Sequence, residues 1–485
     1  MQYYTSLLIA SILAFLFSTT LCYFLIKVFK SRRQKGKRGS GFRQMHDEVI
    51  PRFGGIGIVS GFWGTLVILF LVKPELVTHH YLIGDRFKLL YWLAPLSIAT
   101  FLLGLVDDTI FLRARYKLVT QILIATITAL TILPIHQIEI PFWGSFNLGA
   151  VGIVFAVLWI VGVINAVNLI DGLDTLAGGV AIIALAGISF LSWRSYDMVF
   201  LSISLILISA ISGFLVHNSH PARVFMGDGG SHFLGYMLAV LPMLQVRLST
   251  DNWSLAPIIL LGLPITDTLF SIIRRTMRGL PPFSPDKNHI HHRIIEKGLT
   301  HQQSVRRLHG VSLIFLAVFI SVIERLIDNR VGFVSFFACA WLLILYAGYE
   351  EVSKPRMVYK NRDTIKRDRS FSIEFSENID VFFRAASEVE EIIFVLAIWA
   401  ELMQAQQISV QIGGENFCRT FCLDDKLKVS CKKLVLEKEN VKMDIFFEIG
   451  YLNLDSDLKF KAINLVFEAV FRYTRKLLIE KHSAN

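Results

Sequence analysis

Apolar runs of about twenty residues recur through the first 350 positions, separated by short polar joints, and no other feature limits the fold so strongly. A helix needs roughly 17–25 such residues to cross ~30 Å of hydrocarbon. Eleven runs qualify, at about 5–26, 53–72, 89–106, 118–135, 149–167, 175–192, 198–216, 230–246, 255–273, 309–327 and 332–349. The 53% apolar content of the 485 residues is concentrated in these blocks. The spacing predicts an all-α polytopic membrane protein of about 11 transmembrane helices over residues 1–350, followed by a C-terminal soluble α+β domain.

Charge sets the orientation. The first run has no positive charge before it and no small-residue cleavage pattern after it, so it reads as a crossing rather than a removed signal peptide. Eight Lys and Arg between Lys27 and Arg43 put its carboxyl end in the cytoplasm. The cytoplasmic joints are then 27–52, 107–117, 168–174, 217–229 and 274–308. The outward joints 136–148, 193–197, 247–254 and 328–331 hold at most one Lys or Arg each; joint 73–88, with Lys73, Arg86 and Lys88, is the exception. The net charge of +10 therefore marks topology, not nucleic acid. Five scattered cysteines form no disulfide framework, and Cys418-x3-Cys422 lacks the usual zinc spacing.

Residues 351–375 read as a polar, basic linker, and 376–485 as a cytoplasmic α+β domain. Helix is expected over about 376–405 and 457–481, with strands at 407–412, 428–436 and 441–449. The alternation in Lys442-Met-Asp-Ile-Phe-Phe-Glu-Ile suits a half-buried strand. No catalytic constellation stands out in this tail, so a regulatory or oligomerisation role is expected of it.

Chemistry is concentrated in the cytoplasmic joints. Gly104-Leu-Val-Asp107-Asp108 closes the third run, and paired acids at a lipid boundary are costly unless they bind a cation or move a proton. Lys117 can pair with them or with a phosphate. In Asn165-Ala-Val-Asn168-Leu-Ile-Asp171-Gly-Leu-Asp174-Thr-Leu-Ala-Gly-Gly179, Asn168, Asp171 and Asp174 recur every third residue and share a helical face. Arg223-Val-Phe225-Met-Gly-Asp228-Gly-Gly-Ser231 precedes the eighth run: its glycines allow close approach of a phosphate, and Asp228 offers hard oxygens to Mg²⁺. Asn218 is a polar helper upstream. Asp286, His289, His291, His292 and Arg293 lie together in the longest cytoplasmic joint. Three His suggest zinc, but no fourth ligand has the right spacing, and Arg with Lys beside them suits phosphate better. Asp267 is an acid inside the ninth run, and Pro51-Arg52-Phe-Gly54-Gly55 opens the second. These residues describe a site for Mg²⁺ and phosphates at the lipid surface.

In these motifs, spread over about residues 40 to 310, the chain resembles the polyprenyl-phosphate N-acetylhexosamine-1-phosphate transferase family. The matching segments are Pro51-Arg52-x-Gly54-Gly55, Gly104-x-x-Asp107-Asp108 with Lys117, Asn168-Leu-Ile-Asp171-Gly-Leu-Asp174, Phe225-Met-Gly-Asp228 and His289-Ile-His291-His292-Arg293. The resemblance implies transfer of a sugar 1-phosphate from a UDP-sugar to a polyprenyl phosphate, with release of UMP. It implies Asp107, Asp108, Lys117, Asp171 and His291 as catalytic residues, and Asp228 with Asp171 as ligands of Mg²⁺, for which Mn²⁺ is an alternative. Asn168, Asp174, Asn218 and Phe225 would line the nucleotide pocket, and His289, His292 and Arg293 would hold the phosphates; Arg52, Asp267 and Asp286 are secondary candidates. The pattern after His289, through Gly298-Leu-Thr-His301, is similar to the branch using UDP-GlcNAc, with UDP-FucNAc or UDP-QuiNAc as alternatives.

The implied reaction is phosphoryl transfer, either by direct attack of the lipid phosphate with Asp107 taking its proton, or in two steps through an acyl-phosphate on Asp108. Direct attack is preferred, because a phosphate near neutral pH is already largely ionised. The implied partners are a UDP-HexNAc, polyprenyl phosphate and membrane lipid, without nucleic acid; a homodimer is left open. The expected location is a bacterial inner membrane, with the site and tail in the cytoplasm, at the first membrane step of a cell-envelope polysaccharide pathway. A transporter with intramembrane acids is the competing class, but no internal repeat is visible and the polar groups sit at one face.

Overall fold

The computed structural model describes residues 2–37, 50–72, 85–110, 112–250, 256–278 and 289–349, residues 352, 391 and 394–396, and four strands between 407 and 448. The chain divides into two compact units: residues 1–269 with 290–347, and residues 270–289 with 348–485.

Each predicted run contains helix. The order is α1 (Gln2–Lys37), α2 (Gly54–Val72), α3 (Asp85–Ile110), α4 (Ala114–Thr131), α5 (Val151–Ile170), α6 (Leu176–Arg194), α7 (Met198–Asn218), α8 (Gly227–Thr250), α9 (Ala256–Leu260), α10 (Gly262–Met277), α11 (Ile290–Glu296), α12 (His301–Ile323) and α13 (Asn329–Ala347). Eight of these helices are long and apolar enough to cross a membrane, which makes this a multi-pass membrane protein. The fourth, eighth and ninth predicted runs fall outside that set. Arg115 and Lys117 stand at the start of α4, Asp228 and Arg247 bracket α8, and the ninth run is divided into α9 and α10 at Leu261.

Large apolar side chains point outward where lipid would meet them: Leu8, Leu16 and Phe24 on α1, Leu71 on α2, Leu123 and Leu130 on α4, and Leu158 on α5. Inside, α8 is the hub and packs against α2, α3, α5 and α6. Its Phe233, Leu234, Tyr236 and Met237 are fully buried. The Tyr236 hydroxyl lies 3.1 Å from Thr128 Oγ1 on α4, so this buried polar tip has a partner. The rigid hub ends at Gly227, and the first turn of α8 projects into the site.

The joint 136–148 is more ordered than a plain loop. It folds into an antiparallel hairpin, β1 (Gln137–Ile140) with β2 (Gly144–Asn147), in which Ile138 faces Phe146.

In the second unit, four strands form an antiparallel sheet in the order β4-β3-β6-β5, from β3 (Gln407–Ile412), β4 (Glu415–Thr420), β5 (Cys431–Lys438) and β6 (Val441–Glu448). Three of these correspond to the predicted strands. The fourth, β4, falls between two predicted strands, where none is expected from the sequence. The predicted helix 457–481 lies outside the described residues, as does most of 376–405.

Candidate active site

The site begins with a main-chain splice. Phe225 N donates to Pro51 O, Gly54 N to Phe225 O and Gly55 N to Met226 O, each at 2.9 Å. These bonds fasten the segment before α2 to the segment before α8. Gly227 makes the turn that follows: its φ is +76°, and a Cβ there would overlap the Arg52 carbonyl and come within 2.7 Å of Asp108 Oδ2. Gly104 on α3 has the same function from the other side, since a Cβ would run into the backbone of Asp228 and Gly229.

Asp107 and Asp108 are neighbours on a helix, so their side chains diverge. Asp107 accepts from Leu112 N at 2.8 Å and from Lys117 Nζ at 2.9 Å. Asp108 turns to the cavity and accepts from Gly229 N at 3.2 Å. Lys117 Nζ also donates to Asp228 Oδ2 at 2.5 Å, so one ammonium bridges two carboxylates that are far apart in sequence. Asp228 occupies the first turn of α8, where unpaired amides favour a negative charge. Asn168, at the end of α5, accepts from Ser231 Oγ at 2.7 Å.

A cavity of about 330 Å³ opens among these groups. It is lined by Arg52, Asp108, Asn168, Asp171, Asp174, Asn218, Phe225 and Asp228 from the predicted set. Asp107 and Lys117 stand behind this lining. His291 is buried with its ring against Gly172, whose backbone lines the cavity, and the His292 ring lies tilted at 43° to that of His291, with 4.2 Å between their centroids.

Arg293 and Asp267 are not among the residues that line this cavity. Arg293 pairs with Glu296 at 2.8 Å. Asp267 Oδ1 accepts from Ile290 N at 2.8 Å, which ties the start of α11 to α10. His289 belongs to the second unit, with its Nδ1 3.4 Å from Ser271 Oγ. Asp286 lies outside the described residues. Two histidines that the sequence reading did not select sit beside the site: His220 and His301, both in contact with Asp174. Their signal was positional, since His220 follows Asn218 by two residues and His301 ends the Gly298-Leu-Thr-His run.

Negative charge is in excess here. Asp171 keeps partial access to the cavity but is densely surrounded. Burial, and then the charges of Asp228, Asp108 and Asp174, push its carboxyl well above the ordinary carboxylate range. Burial also raises Asp228, against the opposing pull of Lys117. Lys117 itself is raised: burial works against its charge, but Asp228 and Asp107 more than offset it. A buried cluster of hard oxygen donors with too little positive charge matches the donor chemistry of a divalent cation such as Mg²⁺.

Fold and cavity together define a multi-pass membrane protein with an acid-lined site. Residues 90–246 match the profile of glycosyl transferase family 4. The chain is 38% identical over 278 residues to a probable undecaprenyl-phosphate N-acetylglucosaminyl 1-phosphate transferase of Bacillus subtilis, covering 56% of this chain and 73% of that one. It is 33% identical over 286 residues to the decaprenyl-phosphate N-acetylglucosaminephosphotransferase of Mycolicibacterium smegmatis, covering 54% and 69%. To the undecaprenyl-phosphate alpha-N-acetylglucosaminyl 1-phosphate transferase of Haemophilus influenzae it is 29% identical over 313 residues, covering 62% and 84%. The chain belongs to glycosyl transferase family 4, and to the group within it that these sugar-1-phosphate transferases represent.

Proposed function

We propose that this protein transfers N-acetylglucosamine 1-phosphate from UDP-N-acetylglucosamine to a polyprenyl phosphate and releases UMP. The observation that carries the reading is the meeting of Asp108, Asp171 and Asp228, from three distant segments, around one cavity with Arg52 in its wall and Lys117 behind it. The activities for which the relatives are named support the same sugar and acceptor class. Related UDP-HexNAc donors remain the nearest alternatives.

In this reading Asp228 and Asp171 hold Mg²⁺, with Mn²⁺ as a substitute. When bound, the cation neutralises the diphosphate and stabilises the departing UMP. Arg52 and Lys117 add fixed positive charge close to the phosphates. An oxygen of the lipid phosphate attacks the β-phosphorus; the new P–O bond forms as the bond to the bridging oxygen breaks, and UMP leaves with that electron pair. The sugar C–O bond stays intact. Both oxygens of Asp107 are engaged by Leu112 and Lys117, whereas Asp108 faces the cavity. Asp108 is therefore the better acceptor for any proton left on the lipid phosphate, and Asp107 fixes Lys117. The site and tail face the cytoplasm of a bacterial inner membrane, at the first membrane step of a cell-envelope polysaccharide. The tail serves regulation or self-association.

The test is UMP release by the purified protein given UDP-N-acetylglucosamine and undecaprenyl phosphate, with a panel of other UDP-sugars alongside. Turnover should need both substrates, stop with chelator and return with Mg²⁺. Chelator-resistant turnover would remove the cation from the reading, and no turnover with any UDP-HexNAc would remove the activity.

A further inference from the structure

We propose that His301, together with His220, is a positioning residue for the nucleotide half of the donor, acting through Asp174. The proposal rests on the function proposed above. Asp174 lines the cavity and is held from two directions. Its Oδ2 lies 2.7 Å from His220 Nδ1 and accepts from Ala222 N at 3.2 Å, while its own backbone amide donates to His301 Nε2 at 3.1 Å. The two imidazoles stack at 4.3 Å with only 17° between their planes, so each limits the other's rotation. Among the described residues Asp174 Oδ1 takes no hydrogen bond. One oxygen is therefore fixed by protein, and the other is available to a donor group of the ligand.

The next residue shows that this placement is imposed rather than relaxed. Thr175 has φ 67° and ψ −9°, a left-handed conformation that a β-branched residue rarely adopts. It is held there by Asn218, whose Oδ1 accepts from Thr175 N at 2.8 Å and whose Nδ2 donates to Val224 O at 2.9 Å. The 218–224 segment and the start of α12 thus grip residues 174–175 from either side.

The ligand atoms of Asp174, His220 and His301 also lie within 4.8 Å of one another, a spacing a metal ion could use. Two features argue for a clamp instead. His301 Nε2 already accepts the Asp174 amide proton, and stacked rings do not aim their in-plane lone pairs at one point.

The experiment compares His301→Phe, which keeps a stacking ring and removes the acceptor, with His301→Gln, whose carboxamide oxygen can reach the Nε2 position. The start of α12 should survive both changes, because Thr300 and Gln303 form a capping box without His301. With full-length protein in lipid nanodiscs, the dissociation constant of UDP and the KM for UDP-N-acetylglucosamine should rise about tenfold in His301→Phe, the scale of one lost hydrogen bond. The kcat and the KM for undecaprenyl phosphate should stay within about threefold, and His301→Gln should recover most of the loss. A Gln variant no better than Phe, or a fall in kcat with UDP binding unchanged, overturns the proposal. Should the Phe variant fail to accumulate, Gln against Asn gives the same test, since the shorter Asn cannot reach the amide. UDP binding reads the clamp even without turnover, so failure of the wild type to turn over counts against the activity alone.

Discussion

Gly104→Ala offers the sharpest probe of how the site is held. A Cβ at residue 104 would lie 2.6 Å from Gly229 N and closer still to the Asp228 carbonyl, where ordinary contact begins at 3.4 Å. Backbone on both sides leaves no flexible side-chain end to move away, so α3 and the start of α8 must separate by more than the ~0.8 Å that the Gly229 amide alone requires, since the Asp228 carbonyl is closer. Overpacking of this kind costs about 1–3 kcal/mol of stability. The larger effect falls on geometry. The same separation stretches the Gly229 N to Asp108 bond and shifts Asp228 from Lys117. A misplacement near 1 Å in reacting groups can cost ~100-fold, so kcat should fall roughly 30- to 100-fold with a modest loss of thermal stability. The assay is initial-rate UMP release from purified protein, normalised to folded protein by thermal melting. Gly162→Ala is the control: nothing lies within 4 Å of its Cβ, and activity should stay within about twofold. If folded Gly104→Ala keeps more than about a third of the wild-type kcat, the claim that this contact sets the carboxylate geometry is wrong.

Two further outcomes are expected. Lys117→Met leaves Asp107 and Asp228 facing each other without their shared cation, and kcat/KM should drop about 100-fold, the scale of losing charge-assisted bonds in a largely buried place; a change under threefold would show that the bridge is dispensable. Asp171 holds its proton to unusually high pH, so a bound cation must displace that proton. Apparent Mg²⁺ affinity should therefore already fall as pH is lowered towards, and while still above, the ordinary carboxylate pKa of about 4. Cation titrations above that pH should show proton release that Asp171→Asn reduces. The sign for the metal-free fold is opposite: a raised carboxyl contributes stability as pH falls through its folded pKa.

The sequence made the helices legible because lipid demands long apolar runs, and each of the eleven runs does carry helix. The cavity wall was legible for a different reason. Asp108, Asp171 and Asp228 have no cause to stand at a lipid boundary unless something binds them. What remained hidden depends on rotation and on neighbours. Adjacent Asp107 and Asp108 are indistinguishable in sequence; only the turn of α3 decides that the first meets Lys117 and the second the cavity. Asp267 looked functional as an intramembrane acid, yet its hydrogen bond to Ile290 N is made with a segment 23 residues away. His301 ends the Gly298-Leu-Thr-His301 run, but its contact with Asp174 spans 127 residues and has no local signature. Strand β4 was missed although Gly413-Gly414 before it is a two-residue hairpin signal.

The join between residues 51–55 and 225–226 uses only peptide groups. Gly54 and Gly55 must stay glycine, because a Cβ there would run into Phe225 O and the Gly230 backbone, but the bonds make no demand on the side chains at 52, 225 and 226 beyond excluding proline at the donating Phe225 nitrogen. Evolution can exchange Arg52, Phe225 or Met226 to suit a different sugar nucleotide while the seam stays closed. A scaffold stitched in this manner lets ligand preference drift independently of architecture.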